Sequence, residues 1–359
     1  MKSQHAEPRL PQSMQAREAL SADWLEAVRH ARGERDRVTV EFGEGGAAPT
    51  PREYRLFFVT GHPRSGTHWL GSLLNLHPAI YTDGEFFFDA LHEGFGRLSA
   101  WKWLAVGGDA GHAALRDACF EDSVRRLLVA VAPRKAGATH IADRTPRLLK
   151  VLLPGAAHIV ALRDGRDVLV SWTFHQLRVG GRMLERFCDG ARGGQRPRGA
   201  GMRAVRDAFA ADPDAFEHQP GLLLSDERWV RAVARQWAEH VRHDAAAAAA
   251  MDAGTIDARA LVVRYEDVHA DPSGQAARMA GFLGLDPALM APVSDDSGTA
   301  PGGLGRDPRS FFRSGRVGDW QRYFTPEAGR WFEEEAGETL REAGYETAPD
   351  WQGDCRVEG

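Results

Sequence analysis

The sequence predicts an α/β fold in which a doubly wound parallel sheet is flanked by helices. Three pairs of neighbouring segments carry this prediction. An apolar run at 55–60 (RLFFVT) precedes a glycine turn and a helical pattern at 66–76. A second run at 158–164 (HIVALRD) leads directly into the helical pattern GRDVLVSWTFHQL, and a third at 260–267 precedes an amphipathic pattern at 273–284. Strands that alternate with helices favour a parallel sheet with helices on both faces.

The remaining elements follow from capping residues and apolar periodicity. Ser21 precedes Trp24 and Leu25 and is suited to cap a helix. Leu148 to Leu153 reads as a helix that ends at Pro154. In all, we expect further helices at 22–32, 121–131, 148–153 and 228–251, and a short strand at 139–142.

The 359 residues suit one large domain, which we place at 51–345. Residues 1–50 then form an N-terminal tail with a short helix, and 346–359 form a C-terminal tail. Two stretches, 189–225 and 291–319, are rich in Gly, Asp and Pro and break the alternation of strands and helices. Long insertions of this kind usually serve as lids or binding loops, so we expect loops for acceptor and cofactor there.

The bulk composition narrows the class of protein. A content of 43% hydrophobic and 26% charged residues is typical of a globular protein. No window offers 18 consecutive apolar residues, so we expect no membrane span, and the first 20 residues lack the apolar core of a signal peptide. The net charge of -5 argues against general nucleic-acid binding. The three cysteines have no metal-ligand spacing, which favours a reduced, cytoplasmic setting: Cys119, Cys188 and Cys355.

The stretch FFVTGHPRSGTHWL at 57–70 resembles a phosphate-binding loop with one residue changed. Gly61 and Gly66 have the spacing of G-x-x-x-x-G-K-[ST], but Thr67 stands where the lysine belongs. A strand, a glycine turn and a helix start direct backbone N–H groups at one point, where the helix dipole favours negative charge. Without the lysine that reaches a second and third phosphate, the loop suits a shorter anion.

A second basic cluster, RDGRDVLVS, follows the strand HIVAL. Arg163 lies at the carboxyl end of that strand, where ligands enter open α/β sheets, and Ser171 lies two helical turns later. A kinase or ATPase places a metal-binding aspartate at such a strand end, whereas here Asp164 and Asp167 are expected to pair with the neighbouring arginines. No metal is required. Two separated anion sites on one sheet indicate a nucleotide with phosphates at both ends.

Together, G-x-P-R-S-G-T-x-W-L and R-D-x-R-D-V-x-V-S resemble the sulfotransferases that use 3′-phosphoadenosine 5′-phosphosulfate (PAPS). The resemblance implies the P-loop-like sulfotransferase fold. It also implies that the first motif holds the 5′-phosphosulfate, that Trp69 stacks near the adenine, and that Arg163 and Ser171 hold the 3′-phosphate. The residues implied for the 5′ loop are Arg64, Ser65, Gly66, Thr67 and His68.

Two later stretches agree with this resemblance. VVRYEDVHADP is similar to the family's strand with an adenine-contacting tyrosine, here Tyr265. FFRSGRVGDWQRYFT resembles the R-K-G-x-x-G-D-W loop that closes on the 3′-phosphate, which implies roles for Arg313, Gly315 and Arg316. Ser314 replaces the usual lysine, so this part of the clamp is weaker than in the family.

The transfer of a sulfuryl group needs a general base, and two residues compete for that role. Glu85, in HPAIYTDGEFFFDAL, resembles the catalytic glutamate of protein-tyrosine and heparan-type sulfotransferases, whose D/E-K-[TS]-P stretch is matched here by ADRTPRLL. Arg144 in that stretch replaces a lysine and can stabilise the leaving phosphate, but it donates its proton less readily. His140, in ATHIADRTP, resembles the histidine base of small-molecule sulfotransferases, although Ala138 replaces the accompanying lysine. We favour Glu85.

The predicted activity is thus the in-line transfer of a sulfuryl group from PAPS to a hydroxyl or amine of a small-molecule or sugar acceptor. The catalytic residues would be Arg64 and Arg144, with either Glu85 or His140 as the base. A homodimer is compatible with the sequence. The acceptor pocket is expected in segments 84–105, 172–228 and 292–312. Two rival interpretations are a P-loop kinase-like phosphotransferase and a non-catalytic nucleotide-binding module.

Overall fold

A computed structural model of the chain describes residues 20–44, 47–82, 84–99, 110–189, 200–294 and 315–355. Within these residues seven strands form one sheet. They are β1 (Arg32–Glu34), β2 (Arg37–Phe42), β3 (Thr50–Gly61), β4 (Ile80–Tyr81), β5 (His140–Asp143), β6 (Ala157–Leu162) and β7 (Arg259–Arg264).

Twelve α-helices surround the sheet in the part of the chain that the structure describes. They are α1 (Ala22–Arg29), α2 (Thr67–Leu74), α3 (Phe88–Ser99), α4 (Ala110–Ala130), α5 (Gly165–Val179), α6 (Arg182–Asp189), α7 (Ala200–Ala211), α8 (Ala215–His218), α9 (Glu227–Asp252), α10 (Tyr265–Ala270), α11 (Pro272–Phe282) and α12 (Pro326–Glu342).

The centre of the sheet is parallel, in the order β4-β5-β3-β6-β7. The long strand β3 belongs to two arrangements: residues 50–55 pair antiparallel with β2, and residues 55–61 pair in parallel with β5 and β6. The predicted doubly wound parallel sheet is therefore confirmed, with an antiparallel hairpin added to it. Because β3 and β6 are neighbours and run in the same direction, the segments that follow them emerge side by side.

Both faces of β3 are buried, as expected for the central strand of a doubly wound sheet. Leu56 and Phe58 face a core that is shared with α1 and α4. Phe57 and Val59 face the opposite side, where α2 and α11 pack. All four side chains are essentially inaccessible to solvent, so β3 is a rigid base for the loop that follows it.

One predicted element is wrong, because residues 148–153 form no helix. The backbone of this segment bonds to neighbouring elements instead: the Leu149 N–H donates to Asp244 of α9 at 2.7 Å, and the Leu149 carbonyl lies 3.1 Å from the ring of His243. Leu152 and Leu153 are both buried. Side chains of α9 thus bind the backbone N–H and carbonyl of Leu149, which would otherwise have been paired within the predicted helix.

Other differences concern the segments outside the central sheet. The stretch 189–225 is largely helical where it is described, since α7 and α8 bury Met202, Phe209 and Phe216. The hairpin β1–β2 and helix α1 pack on the core, and near the other end of the chain Trp351 is 4% exposed. Residues on both sides of the predicted 51–345 domain thus contribute to the packed body, and the domain bounds stay a prediction.

A search of the described helices finds none with the length and apolarity that a membrane crossing requires.

Candidate functional site

The turn between β3 and α2 follows a path that depends on two glycines. Gly61 has φ 132° and Gly66 has φ 98°. A Cβ at Gly61 would lie 2.3 Å from the Ala161 carbonyl oxygen, and one at Gly66 would lie 2.6 Å from the Tyr265 ring. Between them Arg64 has φ 75°, a strained conformation for a non-glycine residue. Backbone strain of this kind is typical of ligand-binding turns.

The start of helix α2 has the properties of an anion cradle. Its N-cap is Gly66, which has no side chain to accept from the first N–H groups of the helix. Ser65 and Thr67, on either side, are 2% and 3% exposed. The positive end of the helix dipole and a first turn without a side-chain cap favour an anion at this point.

The structure brings the two predicted anion-binding motifs into direct contact. Nε of Arg64 donates to Oγ of Ser171 on α5 at 3.1 Å, and the Arg163 guanidinium donates to the carbonyl oxygen of Arg64 at 3.2 Å. The motifs predicted to hold two separate anions are therefore neighbours, and the two anion sites themselves stay a prediction. Because β3 and β6 are adjacent, their carboxyl ends form one continuous basic surface.

Arg163 is the centre of that surface. Its guanidinium lies 4.1 Å from the centroid of the Tyr265 ring and donates to the Arg316 carbonyl at 3.0 Å. The hydroxyl of Tyr265 in turn donates to the Gly315 carbonyl at 2.8 Å, and Trp69 lies 5.2 Å from the Tyr265 ring. The predicted adenine-side tyrosine therefore lies directly on the arginine that is predicted to hold the 3′-phosphate, and Trp69 lies against that tyrosine.

Asp167 anchors the segment that includes Gly318 and Trp320. The sequence predicted for Asp167 only a pairing with a neighbouring arginine. Asp167 accepts from the backbone N–H groups of Gly318 and Trp320, both at 2.9 Å, and lies 3.7 Å from Arg163. Burial raises the pKa of Asp167 to about 6, against the opposing charge of Arg163 and the two backbone bonds. Asp164, as predicted, binds a neighbouring arginine: it accepts from Arg166 at 2.8 Å.

Facing the cradle is a hydrogen-bonded chain of three side chains. Nε2 of His68, in the first turn of α2, lies 2.7 Å from Oε1 of Glu85, and Nδ1 of His68 lies 2.6 Å from a guanidinium nitrogen of Arg144. Burial raises the pKa of Glu85, but the hydrogen bond from His68 and the charges of Arg144 and Arg64 outweigh it, so the pKa lies below its usual value. Glu85 is therefore a carboxylate near neutral pH.

The backbone around Glu85 is held by the segment that follows β5. Asp143 accepts from the Phe86 N–H at 3.2 Å, and Oγ1 of Thr145 accepts from the Phe87 N–H at the same distance. The Arg144 N–H donates to the Gly84 carbonyl at 3.0 Å. Sequence reasoning found Asp143, Arg144 and Thr145 as a motif but gave no signal that they fix the position of Glu85.

His140 lies at the other end of the sheet from this site. It begins β5 and is in register with Arg55, six residues before the end of β3 at Gly61. At about 3.3 Å per residue, this separates His140 from the glycine turn by roughly 20 Å. Its ring accepts from or donates to Oγ1 of Thr139, and burial lowers its pKa to about 4. We therefore set His140 aside as a base. It lies at the start of β5, whereas Glu85 and the glycine turn lie beyond the other end of the parallel strands.

Two predicted residues, Arg313 and Ser314, lie outside the described residues, whereas Gly315 is within them and adopts φ 61°. Among the described residues, no group of three or more His, Cys, Asp or Glu side chains is arranged to hold a metal ion.

Comparison with known proteins adds to this geometry. A family model described as "Sulfotransferase domain" matches residues 55–344. Cytosolic sulfotransferase 4 of Arabidopsis thaliana is 41% identical over 71 residues, which are 19% of this chain and 26% of that protein. Protein-tyrosine sulfotransferase 1 of Danio rerio is 24% identical over 213 residues, 54% of this chain and 56% of that protein. The chain thus spans about a quarter and about half of the length of these curated relatives.

Solved structures that match the chain include mouse sulfotransferase SULT7A1 complexed with PAP, which is 18% identical with a TM-score of 0.39 and coverage of 94% of this chain and 95% of that one. Retinol dehydratase in complex with androsterone and inactive cofactor PAP is 17% identical with a TM-score of 0.37, at 90% and 95% coverage. The family model covers most of the chain, including both basic motifs, Glu85 and the residues that hold it. The chain therefore belongs to the sulfotransferase domain family.

Proposed function

We propose that this protein transfers a sulfuryl group from PAPS to a hydroxyl or amine of a small-molecule or sugar acceptor. The observation that carries this proposal is the hydrogen bond between Arg64 and Ser171, which joins a phosphate-type loop to a second basic cluster opposite the carboxylate of Glu85. A nucleotide with phosphate groups at both its 5′ and 3′ ends is the ligand for which two such clusters are suited. The family to which the chain belongs supports sulfuryl transfer in general.

The donor fits the residues that are present. The backbone around Gly66, with the N–H of His68, presents N–H groups for a 5′-phosphosulfate, together with the side chains of Arg64, Ser65 and Thr67. Arg163 and Ser171 would hold the 3′-phosphate, with Arg313, Ser314 and Gly315 closing over it. Trp69 and Tyr265 would contact the adenine. When bound, PAPS supplies an activated sulfuryl group and a phosphate leaving group.

The protein's own contribution is to align donor and acceptor, to remove a proton from the acceptor and to stabilise negative charge on the donor. Glu85 takes the proton of the acceptor hydroxyl or amine, a task for which its lowered pKa keeps it ionised. Arg64 and the loop N–H groups stabilise negative charge at the 5′ end, where the turn already fixes them before the ligand arrives. Arg144, which remains charged at all relevant pH values, adds positive charge near the same point.

The acceptor is proposed to have an apolar part. Phe87, two residues after Glu85, is 58% exposed in spite of its large ring, and its backbone adopts φ 51°. Exposed aromatic side chains beside a polar group are typical of sites where ligands with an apolar body bind. Phe86 and Phe88 stack on each other behind it, 5.4 Å apart, and support this wall of the site.

Calorimetric titration tests the donor. We expect 3′-phosphoadenosine 5′-phosphate (PAP) to bind far more tightly than AMP, because only PAP carries the 3′-phosphate that Arg163 and Ser171 would hold. Mg-ATP serves as the second control, and a preference for it would contradict the proposal in favour of a kinase-like phosphotransferase.

Turnover is tested by PAP release from PAPS with a panel of acceptors: phenol, 1-hexanol, hexylamine, glucosamine and a tyrosine-containing peptide. The peptide is included because one curated relative is named a protein-tyrosine sulfotransferase. We expect transfer to a phenol, alcohol or amine rather than to the peptide. Tight PAP binding with no turnover on any acceptor would instead favour a non-catalytic nucleotide-binding module.

A further inference from the structure

The contacts of His68 place this residue between the donor loop and the base. We propose that His68 is a positioning residue for Glu85: its Nδ1 accepts from Arg144, and its Nε2–H donates to Oε1 of Glu85. This inference rests on the proposed function, in which Glu85 is the base. His68 thereby fixes one carboxylate oxygen and leaves the other for the proton of the acceptor.

Donor and acceptor chemistry fixes which nitrogen of His68 carries the proton. An arginine guanidinium has N–H donors only and cannot accept a hydrogen bond. Nδ1 of His68 lies 2.6 Å from Arg144 and must therefore be the acceptor, which means that it carries no proton. The ring proton then lies on Nε2, which is the nitrogen 2.7 Å from the Glu85 carboxylate. The arginine thus selects the tautomer that donates to the base.

The arrangement also links the base to the donor loop. His68 is the second residue of α2, directly after the Gly66–Thr67 start of the cradle, and the helix fixes its backbone. Glu85 lies in a segment without helix or strand, and the bonds from Asp143 and Thr145 hold only the backbone that follows it. The direction of the Glu85 side chain therefore depends on His68. The position of His68 is fixed by α2, next to the loop that would hold the phosphosulfate.

Titratable or charged groups from four parts of the chain face Glu85. His68 comes from α2, Arg64 from the glycine turn, Arg144 from the segment after β5, and His175 from α5. Burial, together with the charges of Arg64 and Arg178, lowers the pKa of His175 to about 4, so this histidine adds no charge near neutral pH. The hydrogen bond to the Glu85 carboxylate at 2.7 Å comes from His68.

Two substitutions separate the two bonds of His68. In His68→Gln the side-chain amide occupies the place of Nε2 and can still donate to Glu85. In His68→Asn the amide occupies the place of Nδ1, so it retains Arg144 but no longer reaches Glu85. Both variants keep the backbone N–H of residue 68, so calorimetry should give PAP affinities close to that of the unaltered protein.

The expected result is a difference between these variants in kcat. With the fastest acceptor of the panel above, His68→Asn should lower kcat by up to about 100-fold with little change in the KM for PAPS, because a misdirected base costs orientation. Its acidic limb of the pH–rate profile should move to higher pH, since the carboxylate loses a donor that stabilises its charged form. His68→Gln should stay within a few-fold of the unaltered protein and keep its acidic limb.

Equal activity in both variants, whether retained or lost, overturns the positioning role. Loss of activity in Glu85→Gln under the same conditions would show that the proposed function survives that failure, whereas full activity in Glu85→Gln would remove the function itself. Nitrogen-15 NMR of the histidine rings in the unaltered protein tests the tautomer without any activity. A proton on Nδ1 of His68 would also overturn the inference.

Discussion

Two buried aspartates each hold one side of the site, and they do so over different distances in the chain. Asp143 is fully buried and binds the N–H groups of Phe86 and Thr145, with Thr145 only two residues away. Asp167 binds Gly318 and Trp320, about 150 residues further along the chain. The segment of the proposed base Glu85 is therefore held by a contact across 57 positions, whereas the segment proposed to close on the 3′-phosphate is held by contacts across 151 and 153 positions. This contrast predicts that catalysis and donor binding can be impaired separately.

The largest effect is expected on the side that Asp143 holds. Glu85→Gln should lower turnover by about 100-fold to 10,000-fold, because it removes the general base. PAP affinity should not change, since Glu85 contacts the donor loop through the side chain of His68 and not through the backbone N–H groups that would hold the donor. PAP release from PAPS and calorimetry measure the two quantities. Glu53→Gln, at an exposed position of β3, is the matched control. If PAP affinity fell together with turnover, the separation of the two sides would be wrong.

The next effect is expected on the donor side. Arg163→Ala should weaken PAP binding by about 1.5–3 kcal/mol, which is the range for hydrogen bonds to a charged group. This corresponds to a loss in affinity of about tenfold to 150-fold. Arg330→Ala, at an exposed position on α12, should bind PAP normally. An unchanged affinity of the Arg163 variant would sink its assignment to the 3′-phosphate.

A smaller effect tests the long-range contact itself through pH. The pKa of Asp167 is about 6 in the folded protein, above the usual value of 3.8. Between these two pH values the folded state holds more protons at this site than the unfolded state, so its contribution to stability falls as pH rises from about 4 to 6. The slope is at most about 1.4 kcal/mol per pH unit.

Asp167→Asn should remove this part of the pH dependence. Guanidinium unfolding of the variant and the unaltered protein, at several pH values from 4 to 7, measures the difference in their free energies of unfolding. We expect that difference to change between pH 4 and 6 and to be constant above it. Parallel curves over the whole range would contradict a raised pKa for Asp167.

The smallest effect on function is expected at the far end of the sheet. His140→Ala should leave turnover and PAP affinity within twofold of the unaltered protein, because its ring lies roughly 20 Å from the glycine turn. It should lower the free energy of unfolding by about 1 kcal/mol, as is usual for a buried residue. A large loss of turnover in a well-folded variant would restore His140 as the base.

The sequence predicted the parts of the molecule that depend on short-range patterns. The parallel strands at β3, β6 and β7 are apolar runs with helical patterns after them, and the glycine turn has its own spacing. Glu85 and the segment after β5 were identified by motif. In the structure they lie together, a contact that no signal in the sequence indicated.

What the sequence missed depends on contacts between distant residues. No periodicity shows that Asp244 of α9 binds Leu149 and so replaces a helix at 148–153. Nor does any local signal show that Ser171 meets Arg64, since their contact follows from the order of strands in the sheet. The bond between His68 and Glu85 is of the same kind: both residues were noted, but their separation of 17 positions hid their proximity.

Arg166 has a practical consequence for shortening the chain. Its guanidinium lies between the rings of Trp320 and Trp351, at 4.1 Å and 4.7 Å, and is paired with Glu346 at 3.0 Å. The family match ends at residue 344, so a protein trimmed to that boundary would lose two of these three partners. The backbone N–H of Trp320 also donates to Asp167. Trimming at this boundary would therefore weaken the packing around Arg166 and Trp320, next to the proposed donor site. The last ten described residues should be retained in any shortened form.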